Sequence, residues 1–150
     1  MGPVQIRRLE SLALEELRPL LAEGQEQGYQ SLDRLLREYL DGNNRFAGPG
    51  EALFGGYHDQ GMIAIGGLNR DPYLQEDDVG RVRHVYVLSD WRGQGVGSML
   101  VQRIIDEARS HFRVLTLRTF SERASQFYCG IGFRMEPDIP GATHHLVLKA

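Results

Sequence analysis

One stretch limits the fold more than any other: VYVLSDWRGQGVGSMLV, residues 85–101. It opens on β-branched and aromatic residues, breaks at Ser89–Gln94 and carries Gly93, Gly95 and Gly97. It then runs straight into an apolar stripe at helical spacing, Val96, Leu100, Ile104 and Ala108. A buried strand that feeds a glycine loop and then an amphipathic helix belongs to an α/β domain. Glycines admit torsions and close approaches that a Cβ would block. The first turn of a helix leaves N–H groups without partners, and the macrodipole adds partial positive charge there. Together these make a site for phosphate oxygens, and Arg92 stands just upstream.

The spacing rules out two phosphate-binding patterns. A dinucleotide fingerprint needs G-x-G-x-x-G, but its last position falls on Ser98 or Leu100. A Walker loop needs Gly-Lys-Ser/Thr, and the single lysine is Lys149.

The other elements follow from pattern. Val4–Arg8 reads as a short strand, and Ser11 as the cap of a helix whose face is Leu14, Leu17 and Leu21. Pro19 is expected to kink or split that helix. A second helix spans Ser31–Asp41, with Leu32, Leu35, Leu36, Tyr39 and Leu40 as one buried stripe and Gly42 as its end. Ala52–His58 and Met62–Leu68 form a hairpin around Asp59-Gln60-Gly61, and Asn69–Gly80 is a polar loop. Val82–Leu88 is a strand, Gly95–His111 a helix, and Arg113–Arg118 a strand. A helix capped by Ser121 then runs to about Gly130. Phe133–Glu136 and Thr143–Lys149 close the sheet. The order predicts a mixed sheet flanked by helices, in one domain over residues 1–150.

Composition narrows the function classes. A net charge of -3 gives no reason to expect nucleic acid as a partner, although arginine supplies nearly all the positive charge and a local basic groove stays open. No apolar run approaches the roughly 20 residues of a membrane span, so no membrane partner is expected. Cys129 is the only cysteine. This excludes an internal disulfide and a site built on several thiolates, and sets a cytoplasmic location as the expectation. Cys129 reads as a small core residue. His144-His145 does not read as a metal pair, because adjacent strand residues point to opposite faces, and no metal is expected.

Arg92-x-x-Gly95-x-Gly97 after Val85-Tyr86-Val87 resembles the coenzyme A motif of the GCN5-related N-acetyltransferases. A second block, SERASQFYCGIGF at residues 121–133, is similar to that family's later helix and strand. The blocks stand in the family's order and separation, and the element order along the chain agrees. The resemblance implies a mostly antiparallel sheet with a splayed strand. It also implies acetyl-CoA as cosubstrate, and a small-molecule or peptide amine as acceptor. A homodimer is compatible with the family.

Residue by residue, the resemblance implies that Val85, Tyr86 and Val87 meet coenzyme A along the strand, the two valines through their main chain. It implies that Arg92, Gly93, Gln94, Gly95, Val96, Gly97 and Ser98 hold the pyrophosphate. Ser121 stands where many members have Asn, so its contact to the coenzyme is weaker. Tyr128 is similar to the tyrosine that protonates the departing thiolate, a role a phenol suits; the alternative is an amphipathic core tyrosine. The positions where many members carry a glutamate base hold Arg83 and Thr116. The amine then loses its proton through water, or to Glu38, Asp41, Glu76, Asp77 or Asp78, each of which reads equally as a solvated surface charge, or to His84 by its intrinsic pKa. Strand alternation places His84 on the face opposite Arg83 and Val85, so only one of these faces the acceptor. If Arg83 does, the substrate carries a carboxylate or phosphate; an arginine paired with the acidic loop is the equal alternative. Trp91 and Tyr57 are further pocket-lining candidates. Two functions fit: an acetyl-CoA-dependent N-acetyltransferase working by direct transfer, or a non-catalytic coenzyme A sensor on the same fold.

Overall fold

The computed structural model describes residues 3–59 and 61–149. The strands are β1 (Val4–Arg8), β2 (Ala52–His58), β3 (Gly61–Arg70), β4 (Val79–Val87), β5 (Val114–Leu117), β6 (Arg134–Met135) and β7 (His144–Val147). The helices are α1 (Leu14–Glu26), α2 (Ser31–Asp41), α3 (Val96–Ala108) and α4 (Glu122–Ile131). The strands form one sheet in the order β1-β2-β3-β4-β5-β7-β6. Every pairing is antiparallel except that of β4 with β5. The β2–β3 hairpin forms as expected; Gln60 in its turn lies outside the described residues.

Each face of the sheet carries its own core. On one face α3 sets Leu100, Val101, Ile104 and Ile105 against Phe54, Leu68 and Leu115, and α4 adds Tyr128. On the other, α1 and α2 bring Leu17, Leu20, Leu32 and Leu35 onto Leu53, Ile65 and Tyr86. Each fully buried leucine contributes roughly 1.5–3 kcal/mol relative to an exposed one. Among the described residues no helix is long and apolar enough to cross a membrane.

Several expectations shift. α1 begins at Leu14 with Ala13 at its N-cap, so Ser11 does not cap it. Its buried stripe is Leu17, Leu20, Leu21 and Gly24, while Leu14 is exposed. Pro19 leaves α1 a single span: only one turn precedes it, and the buried leucines around it hold the helix together. In α2 the buried side is Leu32 and Leu35; Leu40 faces outward. Gly42 does end α2, in a left-handed conformation (φ 83°). The polar loop is shorter than expected, because β3 continues to Arg70 and β4 starts at Val79. Asp71, fully buried at its start, is paid for by hydrogen bonds from the Thr116 hydroxyl and the Tyr73 amide. Cys129 is exposed: α4 turns Tyr128 inward, and its neighbour necessarily points elsewhere.

Candidate active site

The site grows from two irregularities in β4. The first is where its pairing with β5 stops. Val79, Gly80 and Arg81 pair with Val114, Leu115 and Thr116, and no β4 residue beyond Arg81 pairs with β5. β4 continues to Val87 along β3, while β5 follows β7, so the strands part into a V-shaped opening. The Leu88 amide donates to the Ile63 carbonyl (2.9 Å), which directs the backbone of Leu88 and Tyr86 toward β3. The backbone of Val85 and Val87 then faces the opening. Their carbonyls accept hydrogen bonds there from the Tyr29 hydroxyl (3.1 Å) and Arg92 Nε (2.9 Å).

The second irregularity is a β-bulge. Ile65 stands opposite Tyr86 and Gly67 opposite Arg83, so Gly66 alone spans His84 and Val85. His84 absorbs the extra residue with a left-handed backbone (φ 60°). The bulge overturns the expected alternation. Val85 lies against Leu100 and Ile104 on the α3 face, where a Cβ at Gly66 would meet all three. Arg83 and His84 both lie on the α2 face: Arg83 Nη1 reaches Asn69 Oδ1 (3.4 Å), and His84 Nδ1 lies 2.6 Å from Ser31 Oγ at the start of α2.

Two cavities open on either side of this strand. The larger, of about 750 Å³, includes Arg34 and Arg37 of α2, Arg81, Arg83 and His84 of β4, and Arg118 beyond β5. The smaller, of about 410 Å³, is lined by Val85, Val87, Arg92, Gly93, Gly95, Gly97, Ser98, Ser121, Arg123 and Phe127. Both also include Val85, Ala124 and Tyr128, so they meet at one seam.

The smaller cavity is the glycine-loop groove. Gly93 (φ 75°) and Gly95 (φ 84°) are left-handed, and a Cβ at either would meet no protein atom within 4 Å. That side of the loop is open space. Gly95 is the N-cap of α3 and offers no side-chain cap, so among the described residues no side chain caps the amides of the first turn. Gly97 serves packing: a Cβ added there would come within 3.3 Å of the Phe127 ring. Ser121 caps α4, accepting from the Ala124 amide (3.2 Å). Arg92 lines the groove, but its guanidinium also bonds Gln27 Oε1 (3.0 Å) and lies 3.5 Å from Glu23. Glu23 in turn accepts from the Tyr86 hydroxyl (2.7 Å) and the Ser89 amide (2.8 Å), and so clamps α1 to the start of the loop.

Three of the singled-out residues stand apart from the groove's lining. The Tyr86 side chain is buried on the α1 face, and Val96 is core. Gln94 donates to the Asp90 carbonyl (3.0 Å). Trp91 packs on His58, and Tyr57 is buried with its hydroxyl on Glu16; neither lines a cavity. Of the acidic candidates, Glu38 pairs with Arg34, Asp77 with Arg70 and Asp78 with Arg113, and none lines the seam.

Electrostatics differ across the seam. Burial pushes the Tyr128 phenol up, with a smaller push from Tyr29, so it keeps its proton. Burial, then the charges of Arg83 and Arg34, push His84 down to about 3, leaving the imidazole neutral. Sequence reasoning passed over Tyr29, Arg34, Arg37, Arg81 and Arg118. Tyr29 sits in the α1–α2 connection and stacks on Tyr86 (5.2 Å between rings). The only signal for the arginines was their abundance.

Comparisons with known proteins agree with this architecture. Residues 11–133 match the model of the acetyltransferase (GNAT) family. No curated protein matches the chain. Among solved structures, a presumed acetyltransferase from Exiguobacterium sp. 255-15 superposes with a TM-score of 0.85 at 33% identity, over 97% of this chain and 94% of that one. A GCN5-related N-acetyltransferase from Kribbella flavida gives 0.75 at 20% identity, over 97% and 98%. N-acetylglutamate synthase from Neisseria gonorrhoeae, complexed with coenzyme A and N-acetyl-glutamate, gives 0.74 at 20% identity, over 100% of this chain and 36% of that one. With a family match across most of its length, and a splayed strand running into an uncapped glycine turn, the chain belongs to the GNAT family of acetyltransferases.

Proposed function

We propose that the protein, read as one domain over residues 1–150, is an acetyl-CoA-dependent N-acetyltransferase. It acts on a primary amine by direct transfer, with both substrates bound together. The observation that carries this reading is the seam: two cavities, one on each side of β4, share Val85, Ala124 and Tyr128. A donor in one and an acceptor in the other meet only there. A coenzyme A sensor needs the groove alone, so the second cavity favours catalysis.

The residues present fit coenzyme A. The uncapped first turn of α3 offers amides at Gly95–Ser98 to a diphosphate, and the open left-handed glycines leave it room. Val85 and Val87 offer main-chain groups in the opening to the amides of the pantetheine arm. When bound, acetyl-CoA supplies a thioester carbonyl as the electrophile. The Val87 N–H polarises that carbonyl as charge develops on oxygen. Tyr128, held protonated by burial, donates its proton to the leaving sulfur and is reprotonated by the proton that the acylated nitrogen sheds.

The acceptor must arrive as a free amine. The environment that holds His84 neutral, burial plus flanking arginines, works equally against an ammonium ion. The cavity thereby favours the nucleophilic form, and proximity of the two substrates supplies much of the rate. The test is calorimetry with coenzyme A, followed by amine-dependent thiol release from acetyl-CoA with Tyr128→Phe as control. Binding with Tyr128-dependent release supports the reading. Binding without release from any amine indicates the sensor, and no binding removes both.

A further inference from the structure

The acceptor-side cavity has a charge pattern at odds with the chain's net charge. The whole chain has a net charge of -3, yet among the described residues five arginines line this one cavity with Asp33 as the only carboxylate. They come from separate parts of the chain. Arg34 and Arg37 are one helical turn apart on α2, Arg81 and Arg83 are on β4, and Arg118 follows β5. Asp33 is engaged by Gln25 Nε2 (2.9 Å), and Arg34 is paired with Glu38 (3.2 Å).

The floor arginines are under-satisfied. Arg81 is only 5% exposed, and its Nη1 has no hydrogen-bond partner among the described residues. The nearest carboxylate, Asp71 Oδ2, is 3.7 Å away and already accepts from Thr116. Arg83 makes one long hydrogen bond, to Asn69 Oδ1 (3.4 Å). Burial lowers the pKa of both, and neighbouring arginines add to the effect: Arg34 on Arg83, then Arg83 and Arg118 on Arg81. A buried cation without full pairing costs stability unless something else supplies the counter-charge. His84 Nε2, on the same face and buried, is likewise unpartnered.

The scale of the site suits a small molecule. A volume of about 750 Å³ falls within the range of small-ligand pockets. Along β4, Arg83 and Arg81 lie at most ~7 and ~13 Å from Val85 at the seam, at ~3.3 Å per residue. Anionic groups a few bonds from the reacting nitrogen reach both.

We propose that the acceptor is a small primary amine carrying at least two negative charges, an amino dicarboxylate or an aminoalkyl phosphate. Arg81 and Arg83 hold it from the floor, and Arg34, Arg37 and Arg118 from the rim. This rests on the acetyltransferase reading above. Planar guanidinium forks recognise both carboxylate and phosphate, so the shared chemistry is the anion, and the amine panel separates the two sources.

The test uses the full chain in two arms. In the first, thiol release from acetyl-CoA is measured with L-aspartate, L-glutamate and phosphoethanolamine. Their counterparts with the side-chain acid neutralised or absent, L-asparagine, L-glutamine and ethanolamine, run beside them, with spermidine and a peptide of acidic N-terminus. In the second, thermal shifts are recorded with the same amines and no acetyl-CoA. The expected result is a kcat/KM at least a hundredfold higher for one dianionic amine than for its counterpart. The same amine raises Tm, and added salt weakens both effects. Arg83→Gln, and the exposed Arg118→Gln as a variant safe for folding, raise KM for that amine at least tenfold and leave KM for acetyl-CoA unchanged. Equal turnover of acidic and neutral amines overturns the proposal, as does preference for the acidic peptide over every small amine. A lack of coenzyme A binding strikes the acetyltransferase reading instead; the thermal-shift arm needs no coenzyme A and still decides on the dianion.

Discussion

The glycine-loop groove and the arginine-lined cavity share one strand and one tyrosine, yet they offer an occupant different parts of the chain. The groove offers main chain: amides at the start of α3, and the backbone of Val85 and Val87 beside the opening. The cavity offers side chains brought from α2, β4 and the end of β5. Main-chain recognition depends on torsions that glycine adopts freely at Gly93 and Gly95, so it leaves a contiguous spacing in the sequence. Side-chain recognition depends on which residues the sheet gathers, and leaves no local trace. Residues 34, 81 and 118 become neighbours only because β4 runs parallel to β5 and α2 crosses the same face.

Four measurements break or sharpen this contrast, the largest effect first. Tyr128→Phe acts at the seam and belongs to neither side. It should lower kcat by ~10²–10⁴, the usual range for a positioned general acid, with both KM values nearly unchanged by steady-state kinetics. Gly95→Val acts on the donor side alone. Forcing a β-branched residue to a φ of 84° places its Cβ in the open groove. Coenzyme A affinity by calorimetry should fall roughly a hundredfold, the equivalent of about 2.8 kcal/mol, with no change in thermal shifts by acceptor amines.

His84 tests the acceptor side through pH. Its folded pKa, about 3, lies below its ordinary value of 6.5, so between those values the unfolded chain binds the extra proton. The stability at stake is fully present above pH 6.5 and drains away as pH falls toward 3. Urea midpoints should drop between pH 7 and pH 4.5, and His84→Gln should flatten that slope. Ser121→Ala removes the α4 cap below the groove. It should cost about 1 kcal/mol, a Tm loss of a few degrees by calorimetry, and should weaken neither substrate by more than a few-fold.

The same distinction between local and gathered structure explains what could be read in advance. The β2–β3 hairpin, α2 with its glycine stop, the loop into α3 and the Ser121 cap are written in neighbouring residues, and all were legible. The start of α1 was misplaced because Ser11 offered a capping side chain that the backbone does not use. Pro19 looked like a break because propensity is local, whereas the leucines that hold α1 are buried by the distant sheet. Cys129 looked apolar and buried until α4 committed its inward face to Tyr128. Within the site, the glycine turn was legible from its residues and Tyr128 from motif resemblance. Tyr29 and most of the arginines were not, because their relevance is created by tertiary packing.

The bulge at His84 amounts to a parity change inside a strand. Upstream of it, odd-numbered residues of β4 look toward α2; downstream, even-numbered ones do, as Arg83 and Tyr86 show. Deleting His84 would restore strict alternation and leave every other side chain of β4 on its present face, with Gly66 opposite Val85 alone. Straightening the strand with His84 kept would instead flip the downstream residues, and the valine beside α3 would turn toward the polar chamber. One residue of slack therefore lets a single strand present apolar packing to α3 at Val85 and cationic chemistry to α2 at Arg83.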